Sequence, residues 1–278
     1  MAAIPTVDLL VFPQWQGYAA GEGPRRGALA IAAALDGRRG HVEVPEWHPL
    51  AGGDVLGLEA IVGQAVAALA WLDAAAPERL LVIGGDCGSD FAPMCWQAAR
   101  LGDELGVLYL DAHADLNTPA SSPSRRFHGM VLRAALGDGA PALAALCPRP
   151  LATGQVILAG SRDVDAGERA FLSASASDIT LCAPAAIADG GVLAAVGAHR
   201  ARRWHVHLDL DVLDPSDFPE VTVPTPGGPS LDEVARLLVE LVGRHDVVGI
   251  TVTEHVGGEA SARRVAAVVA ALGRAGWR

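Results

Sequence analysis

The chain has 278 residues, of which 51% are apolar and 19% charged, with a formal charge of −11 at neutral pH. That apolar content excludes a disordered chain, which lacks the surface to offset its ordering entropy, and the length excludes a small disulfide-stapled scaffold. All 21 basic residues are arginine, and the net negative field repels phosphate backbones and anionic lipid, so neither nucleic acid nor a membrane surface is an expected partner.

The opening MAAIPTVDLLVF has no basic n-region, carries Asp8 inside its apolar run and shows no small-residue cleavage site, so no secretory leader is expected. Residues 7–12 read as the first strand. Pro24 within Gly23-Pro24-Arg25-Arg26-Gly27 sits at the start of a helix over 24–35. A strand at 41–47 and a helix at 58–73 follow. The longest apolar stretch, 65–72, falls far short of the ~20 residues a spanning helix needs, so no membrane crossing is expected. Next come a strand at 80–83, a helix at 90–101, strands at 105–110 and 155–159, a helix at 167–173, and strands at 179–182 and 204–210. Ser230-Leu-Asp-Glu233 ahead of an apolar run has the form of a capping box, in which two side chains satisfy each other's backbone amides. A strand at 247–253 and a helix at 259–272 complete the pattern.

Most of these eight strands are continuously apolar, as strands buried on both faces are, and their alternation with helices describes βαβ units around a parallel sheet. No fixed-period repeat and no linker composition is visible, which implies one domain over 1–278. Cys87, Cys95, Cys147 and Cys182 show no CxxC spacing, which argues against a zinc ribbon or redox pair and for a cytoplasmic protein with reduced thiols.

The chemistry-bearing residues stand where the strands end, the usual place for ligand sites in parallel α/β sheets. They are Asp111-Ala-His113-Ala-Asp115, Ser161-Arg162-Asp163-Val-Asp165, Asp209-Leu-Asp211 and Glu254-His255. Alternation along a strand would let Asp111, His113 and Asp115 converge, and likewise Asp209 and Asp211. A lone DxD at a strand end is common in turns, but three ionisable groups at alternate positions after an apolar strand are costly to bury without a cation. A pair of divalent ions would neutralise them, and the oxygen-rich donor set suits Mn²⁺ or Mg²⁺ better than a structural zinc.

Gly84-Gly-Asp86, the DAHAD segment, Ser161-Arg-Asp-Val-Asp165 and Asp209-Leu-Asp-Val-Leu-Asp-Pro215 resemble the signatures of the arginase (ureohydrolase) family, in the same order and over nearly the whole chain. The resemblance implies a three-layer α/β fold, shared by arginases and deacetylases, with an eight-stranded parallel sheet. It also implies two Mn²⁺ ions and a trimeric or hexameric homo-oligomer that hydrolyses the guanidino group of a small molecule to urea. On this resemblance Asp111, His113, Asp115, Asp209 and Asp211 fall on metal ligands, with Asp111 and Asp209 or their neighbours bridging. His128 falls on a proton-shuttle histidine and Glu254 on the carboxylate that meets the guanidinium. Asn117, Ser124, Asp163 and Asp165 fall on groups that hold the α-substituents of arginine, and Arg126 stands where the family has Asn, able as a bidentate cation to keep acid recognition. An arginine-type α-amino acid is therefore favoured over agmatine or a guanidino acid.

The departure from the family is Cys87, where the Gly-Gly-Asp-His signature has a metal-binding histidine. A buried cysteine can be a small space-filler, or a thiolate ligand that tilts its site towards Zn²⁺ or Fe²⁺. A cysteine here also resembles a branch of the family that cleaves Nω-hydroxy-L-arginine to ornithine and hydroxyurea. Loss of the histidine could instead leave a metal-depleted binding protein. The DxHxD and DxD set together speaks against a single-zinc deacetylase relative.

Overall fold

A computed structural model describes residues 2–3, 7–36, 39–44, 53–174 and 178–278. Its strands are β1 (Ala2–Ala3), β2 (Asp8–Phe12), β3 (Leu35–Asp36), β4 (Arg39–His41), β5 (Leu80–Gly84), β6 (Leu105–Leu110), β7 (Val156–Ala159), β8 (Thr180–Cys182), β9 (Arg203–Asp209) and β10 (Asp246–Thr253). Strands β1 and β3 form a separate short parallel pair, and the other eight form one all-parallel sheet in the order β4-β2-β5-β10-β9-β6-β7-β8.

Alternation along the strands builds the two halves of the core. Leu81 and Ile83 of β5, Leu108 and Leu110 of β6, and Val206 and Leu208 of β9 face one side, packing with residues of the helices Gly23–Ala34, Leu231–Arg244 and Glu259–Arg274. Leu80 and Val82, together with Leu105, Val107 and Tyr109, face the other side and pack with the helices Leu58–Ala75, Phe91–Leu101 and Val131–Ala135. The result is the three-layer α/β architecture expected from the sequence. The Ser230 box caps the helix after it, with Ser230 Oγ accepting from the Glu233 amide at 3.3 Å and Glu233 Oε2 accepting from the Ser230 amide at 2.8 Å.

The strand expected at 41–47 is β4 at Arg39–His41. It pairs with β2 over three positions only, and the last bond, Val42 N to Val11 O, is followed on β2 by Phe12 and then Pro13, which has no amide to offer. Residues 42–44 are described and lie outside the sheet, and 45–47 lie outside the described residues. The helix Leu58–Ala75, at 18 residues and a mean hydropathy of 1.4, is long and apolar enough by length and composition to cross a membrane, which the 65–72 stretch alone did not suggest. One face of it is in the core through Ile61, Ala65, Ala68 and Leu72, and the buried Gln64 on that face accepts from Gln14 Nε2 at 2.8 Å.

The strand order places the site. The chain moves outward from β2 to β4, returns to β5, jumps to β6, runs outward to β8, and comes back to lay β9 and β10 between β6 and β5. The carboxyl ends of the four central strands β5, β10, β9 and β6 therefore meet where the winding reverses, which opens a crevice.

Candidate metal centre

Each central strand delivers its side chains through a specific local device. After β5, Gly85 lies so near Gln14 that a Cβ would stand 1.8 Å from its carbonyl oxygen, and the Asp86 carboxylate accepts from the Gly88 amide at 2.9 Å. That turn seats Cys87 at 2% exposure. After β6 the chain leaves the extended form. Asp111 Oδ1 accepts from the His113 amide at 2.6 Å and Asp115 adopts a left-handed φ of 53°, so it is this loop, rather than strand alternation, that gathers Asp111, His113 and Asp115. After β9, Asp209 Oδ1 accepts from the Asp211 amide at 2.7 Å and opens a tight turn over Leu210–Val212. After β10, Glu254 takes φ 66°. Left-handed backbone in a residue other than glycine costs about 1 kcal/mol or more, and both Asp115 and Glu254 are held in it at the site.

Three groups of potential donor atoms result, with all atoms of each group within 4.8 Å of one another: Asp111, His113 and Asp211; Cys87, Asp111, Asp115 and His207; and Cys87, Asp209 and Glu254. Asp111 belongs to two of them. His113 Nδ1 lies 3.1 Å from Asp211 Oδ2 and 3.4 Å from Asp111 Oδ1. Tyr109 donates its hydroxyl to Asp115 Oδ2 at 2.7 Å, and the Cys87 thiol donates to Asp209 Oδ2 at 2.8 Å.

Charge is poorly balanced here. Burial, reinforced by neighbouring carboxylates, pushes Asp115 and Asp209 well above the carboxylate range, and burial and Asp111 push Asp211 up to about 6. Burial would raise Asp111 as well, but the hydrogen bond and charge of His113 hold it down. Burial would lower His113, yet Asp111 and Asp211 raise it far above the imidazole range. Burial and then Asp209 push the Cys87 thiol up. One imidazolium thus faces several buried carboxylates, and buried Asp111 Oδ2 has no hydrogen-bond partner among the described residues. Divalent cations fit this donor set of carboxylate oxygens with imidazole, and would satisfy both the charge and that oxygen.

Above these groups opens a cleft of about 240 Å³, lined among others by His113, Asn117, Ser124, His128, Asp163 and Asp165. His128 Nδ1 lies 3.3 Å from Glu254 Oε1, and the same oxygen accepts from the Cys87 amide at 2.9 Å while Thr222 donates to Oε2. Burial opposes ionisation of Glu254, but His128, Thr222 and the Cys87 amide hold its carboxyl below the usual range. Burial likewise opposes charge on His128, which Glu254 nevertheless raises. Glu254 is fully buried beneath the cleft, not a solvated strand-end carboxylate. Asp165 caps the helix Ala166–Leu172 through Oδ1 and accepts from Asn117 Nδ2 at 2.7 Å through Oδ2. Asp163 Oδ2 lies 4.0 Å from His113 Nε2.

Arg126 is the expected site residue that the structure does not bring to this cleft. Its guanidinium lies over the Tyr18 ring, 5.5 Å from the centroid, where an aromatic face attracts the cation. His255, which follows Glu254, is a packing residue, its ring nitrogens facing Gly27 O at 3.2 Å and Ser261 Oγ at 2.9 Å. Sequence reading passed over His207, along with His205 and Asp90, because they lie inside segments read simply as strand and helix. The signal was available in His205-Val-His207-Leu-Asp209, whose alternate residues share one face of β9.

A model of the Arginase family matches residues 19–273. The arginase of Bacillus caldovelox is 35% identical over 175 residues, which covers 60% of this chain and 58% of that protein. That of Brevibacillus brevis is 36% identical over 180 residues, again with 60% and 58% covered, so the aligned part spans less than two thirds of these relatives' length. Among solved structures, Entamoeba histolytica arginase in complex with L-ornithine superposes with a TM-score of 0.86 at 20% identity, covering 95% of this chain and 97% of that one.

Proposed function

The chain belongs to the arginase family, and on that footing we propose that it is a hydrolase that uses two divalent cations, Mn²⁺ by preference, to cleave the guanidino group of an arginine-type α-amino acid. The substrate is L-arginine or Nω-hydroxy-L-arginine, and the products are ornithine with urea or hydroxyurea. The observation that carries this reading is the sharing of Asp111 between two buried donor groups, one with His113 and Asp211 and the other with Cys87 and Asp115. A carboxylate so placed is the natural bridge between two ions. Asp209, whose two oxygens accept from the Asp211 amide and the Cys87 thiol, belongs to the third group, with Cys87 and Glu254.

Bound cations would supply a water acidified enough to act as nucleophile at neutral pH, together with charge stabilisation at the guanidino carbon. The chain's own residues do the rest. Glu254, kept ionised by its three partners, offers negative charge beneath the cleft to a guanidinium. His128 lines the cleft against Glu254 and is placed to pass a proton to the departing amine. Asn117 and Asp165, with Ser124 and Asp163 beside them, present polar groups to the α-substituents. The reading is of a single catalytic domain over 1–278, acting in the cytoplasm as a homo-oligomer.

The test is a screen of guanidino compounds with Mn²⁺-reconstituted protein, reading urea and hydroxyurea separately. Turnover of arginine or hydroxyarginine supports the reading. Turnover of agmatine alone would move the protein to the decarboxylated-amine class, and two bound ions with no turnover of any guanidino compound would make it a binding protein.

A further inference from the structure

Where the family signature places a metal-binding histidine this chain has Cys87, yet the buried network beside it holds an imidazole that the proposed mechanism leaves without a task. We propose that His207 supplies, from the opposite strand, the nitrogen ligand that Cys87 cannot, so that one of the two cations is held by Asp111, Asp115, His207 and Cys87. This inference rests on the reading of the site as a two-cation centre.

Three features of the geometry carry it. A ring nitrogen of His207 lies within 4.8 Å of donor atoms on Cys87, Asp111 and Asp115, every one of them buried. His207 Nδ1 faces Asp90 Oδ2 at 2.9 Å, and with that carboxylate accepting, as it does from Thr251, Nδ1 carries the proton and Nε2 holds the lone pair. Nε2 is buried in a fully buried residue and has no hydrogen-bond partner among the described residues, which for a buried polar atom requires an explanation.

The surrounding contacts are those of a positioned ligand. Metal-binding histidines commonly donate their other ring nitrogen to a carboxylate, which fixes the tautomer and aims the lone pair. Here Asp90 performs that task while also accepting from Thr251 and facing His205 Nε2 at 2.9 Å, so it is itself fixed on several sides. The other anchor is Tyr109, directly paired with His207 in the β6–β9 register. Its ring stacks on His207 with centroids 3.9 Å apart and planes 9° apart, and its hydroxyl donates to Asp115. One tyrosine therefore orients two members of the same donor group. Asp111 Oδ2, the other buried atom of this group without a partner, is the oxygen such an ion would meet.

The experiment counts ions in chelated protein reloaded with Mn²⁺ and freed of excess. Wild type is expected to retain two per chain. Fewer than two would overturn the two-cation reading itself, a failure distinct from that of the His207 assignment. His207→Phe keeps a flat ring on Tyr109 but removes the donor, and is expected to retain one ion. Cys87→His combined with His207→Ser returns an imidazole from the other side and is expected to restore the second. Two ions in His207→Phe, or no recovery in the double variant, would overturn the assignment. Should His207→Phe fail to fold, wild-type protein loaded with Co²⁺ decides. A paramagnetically shifted imidazole N–H that resists exchange into heavy water, as His207 Nδ1–H against buried Asp90 must, supports the ligand. Its absence refutes it.

Discussion

Asn117 Nδ2 donates to Asp165 Oδ2 at 2.7 Å, tying the loop after β6 to the helix that follows β7. Asn117 Oδ1 in turn accepts from Ser121 Oγ at 2.8 Å, so the amide is committed on both sides, whereas the Asp165 carboxylate keeps acceptor capacity beyond its cap and this bond. The pair forms a rigid polar rim on the cleft. The free capacity of the carboxylate suits an ammonium group, which an α-amino acid brings and a guanidino acid without the α-amino group does not.

Discrimination should follow from this rim. Arginine or hydroxyarginine is expected to exceed a guanidino acid lacking the α-amino group in kcat/KM by about 100-fold or more, because that analogue leaves the half-buried Asp165 carboxylate without its ammonium partner. Asp165→Ala should shrink that ratio, and should also cost about 1 kcal/mol of stability through the lost helix cap. Steady-state kinetics on the two substrates check the first, urea denaturation the second. Equal kcat/KM for arginine and the guanidino acid in the wild type would refute the assignment.

Substitution at Asp111 or Asp209 should remove metal and turnover together. Asp111→Asn and Asp209→Asn each delete charge from a cluster that already holds more carboxylates than imidazolium, and neither amide can bridge two cations as a carboxylate does. Loss of at least one ion per chain is expected in both. A variant that kept both ions and full rate would contradict the bridging role of that residue.

By contrast, His128→Asn should leave the ions in place. His128 is absent from the three donor groups and meets only Glu254 among their members, at 3.3 Å. A proton-transfer residue of this kind contributes about 10²–10⁴-fold to rate, and a loss in that range with two ions retained is the expected outcome. An unchanged kcat would remove His128 from the mechanism.

How much of this could be read from the sequence depends on what each element is tied to. The central strands were legible within a residue or two, because continuous apolar runs flanked by helices leave little choice, and the carboxylates at their ends were legible for the same reason. The edge strand β4 was misplaced because its extent is set by where its neighbour β2 stops pairing, at Pro13, which no local pattern reports. Arg126 was misplaced because Tyr18, far away in sequence, captures its guanidinium. His207 was missed although its spacing to Asp209 was in view, since a histidine inside an apolar strand is more often a satisfied core residue. Only the third dimension shows that its Nε2 is not satisfied.

Stability of the metal-free and metal-loaded forms should respond oppositely to acid. Asp211, raised to about 6 by burial and Asp111, binds its proton in the folded chain well before an unfolded aspartate near ~3.9 does, and Asp115 and Asp209 are shifted the same way. A folded state that binds more protons than the unfolded one gains stability as pH falls, here from neutrality down through about 6. The loaded form must give up its cations to accept those protons, and loses stability over the same range. Groups outside the site, such as His245 and His255, act on both forms alike and cancel in the comparison. The gap in melting temperature between the two forms should therefore narrow steadily on acidification, and a constant gap would refute the charge balance drawn here.

Position 87 is small because His207 occupies the space a larger side chain would need. Cys87 is 2% exposed, its thiol meets Asp209, its amide meets Glu254, and His207 already stands within 4.8 Å across the same carboxylates. An imidazole added there would compete with His207 for one place, and overfilling a close-packed site costs about 1–3 kcal/mol. Cys87→His alone should therefore destabilise the metal-free protein by that amount and bring little gain in Mn²⁺ affinity. Combined with His207→Ser, which vacates the space, the same substitution should cost less in stability and bind Mn²⁺ more tightly than Cys87→His alone. Urea denaturation of the chelated proteins and Mn²⁺ titration of each variant make the comparison. If Cys87→His is tolerated equally with and without His207, the two side chains do not share a place, and the cysteine is small for some other reason.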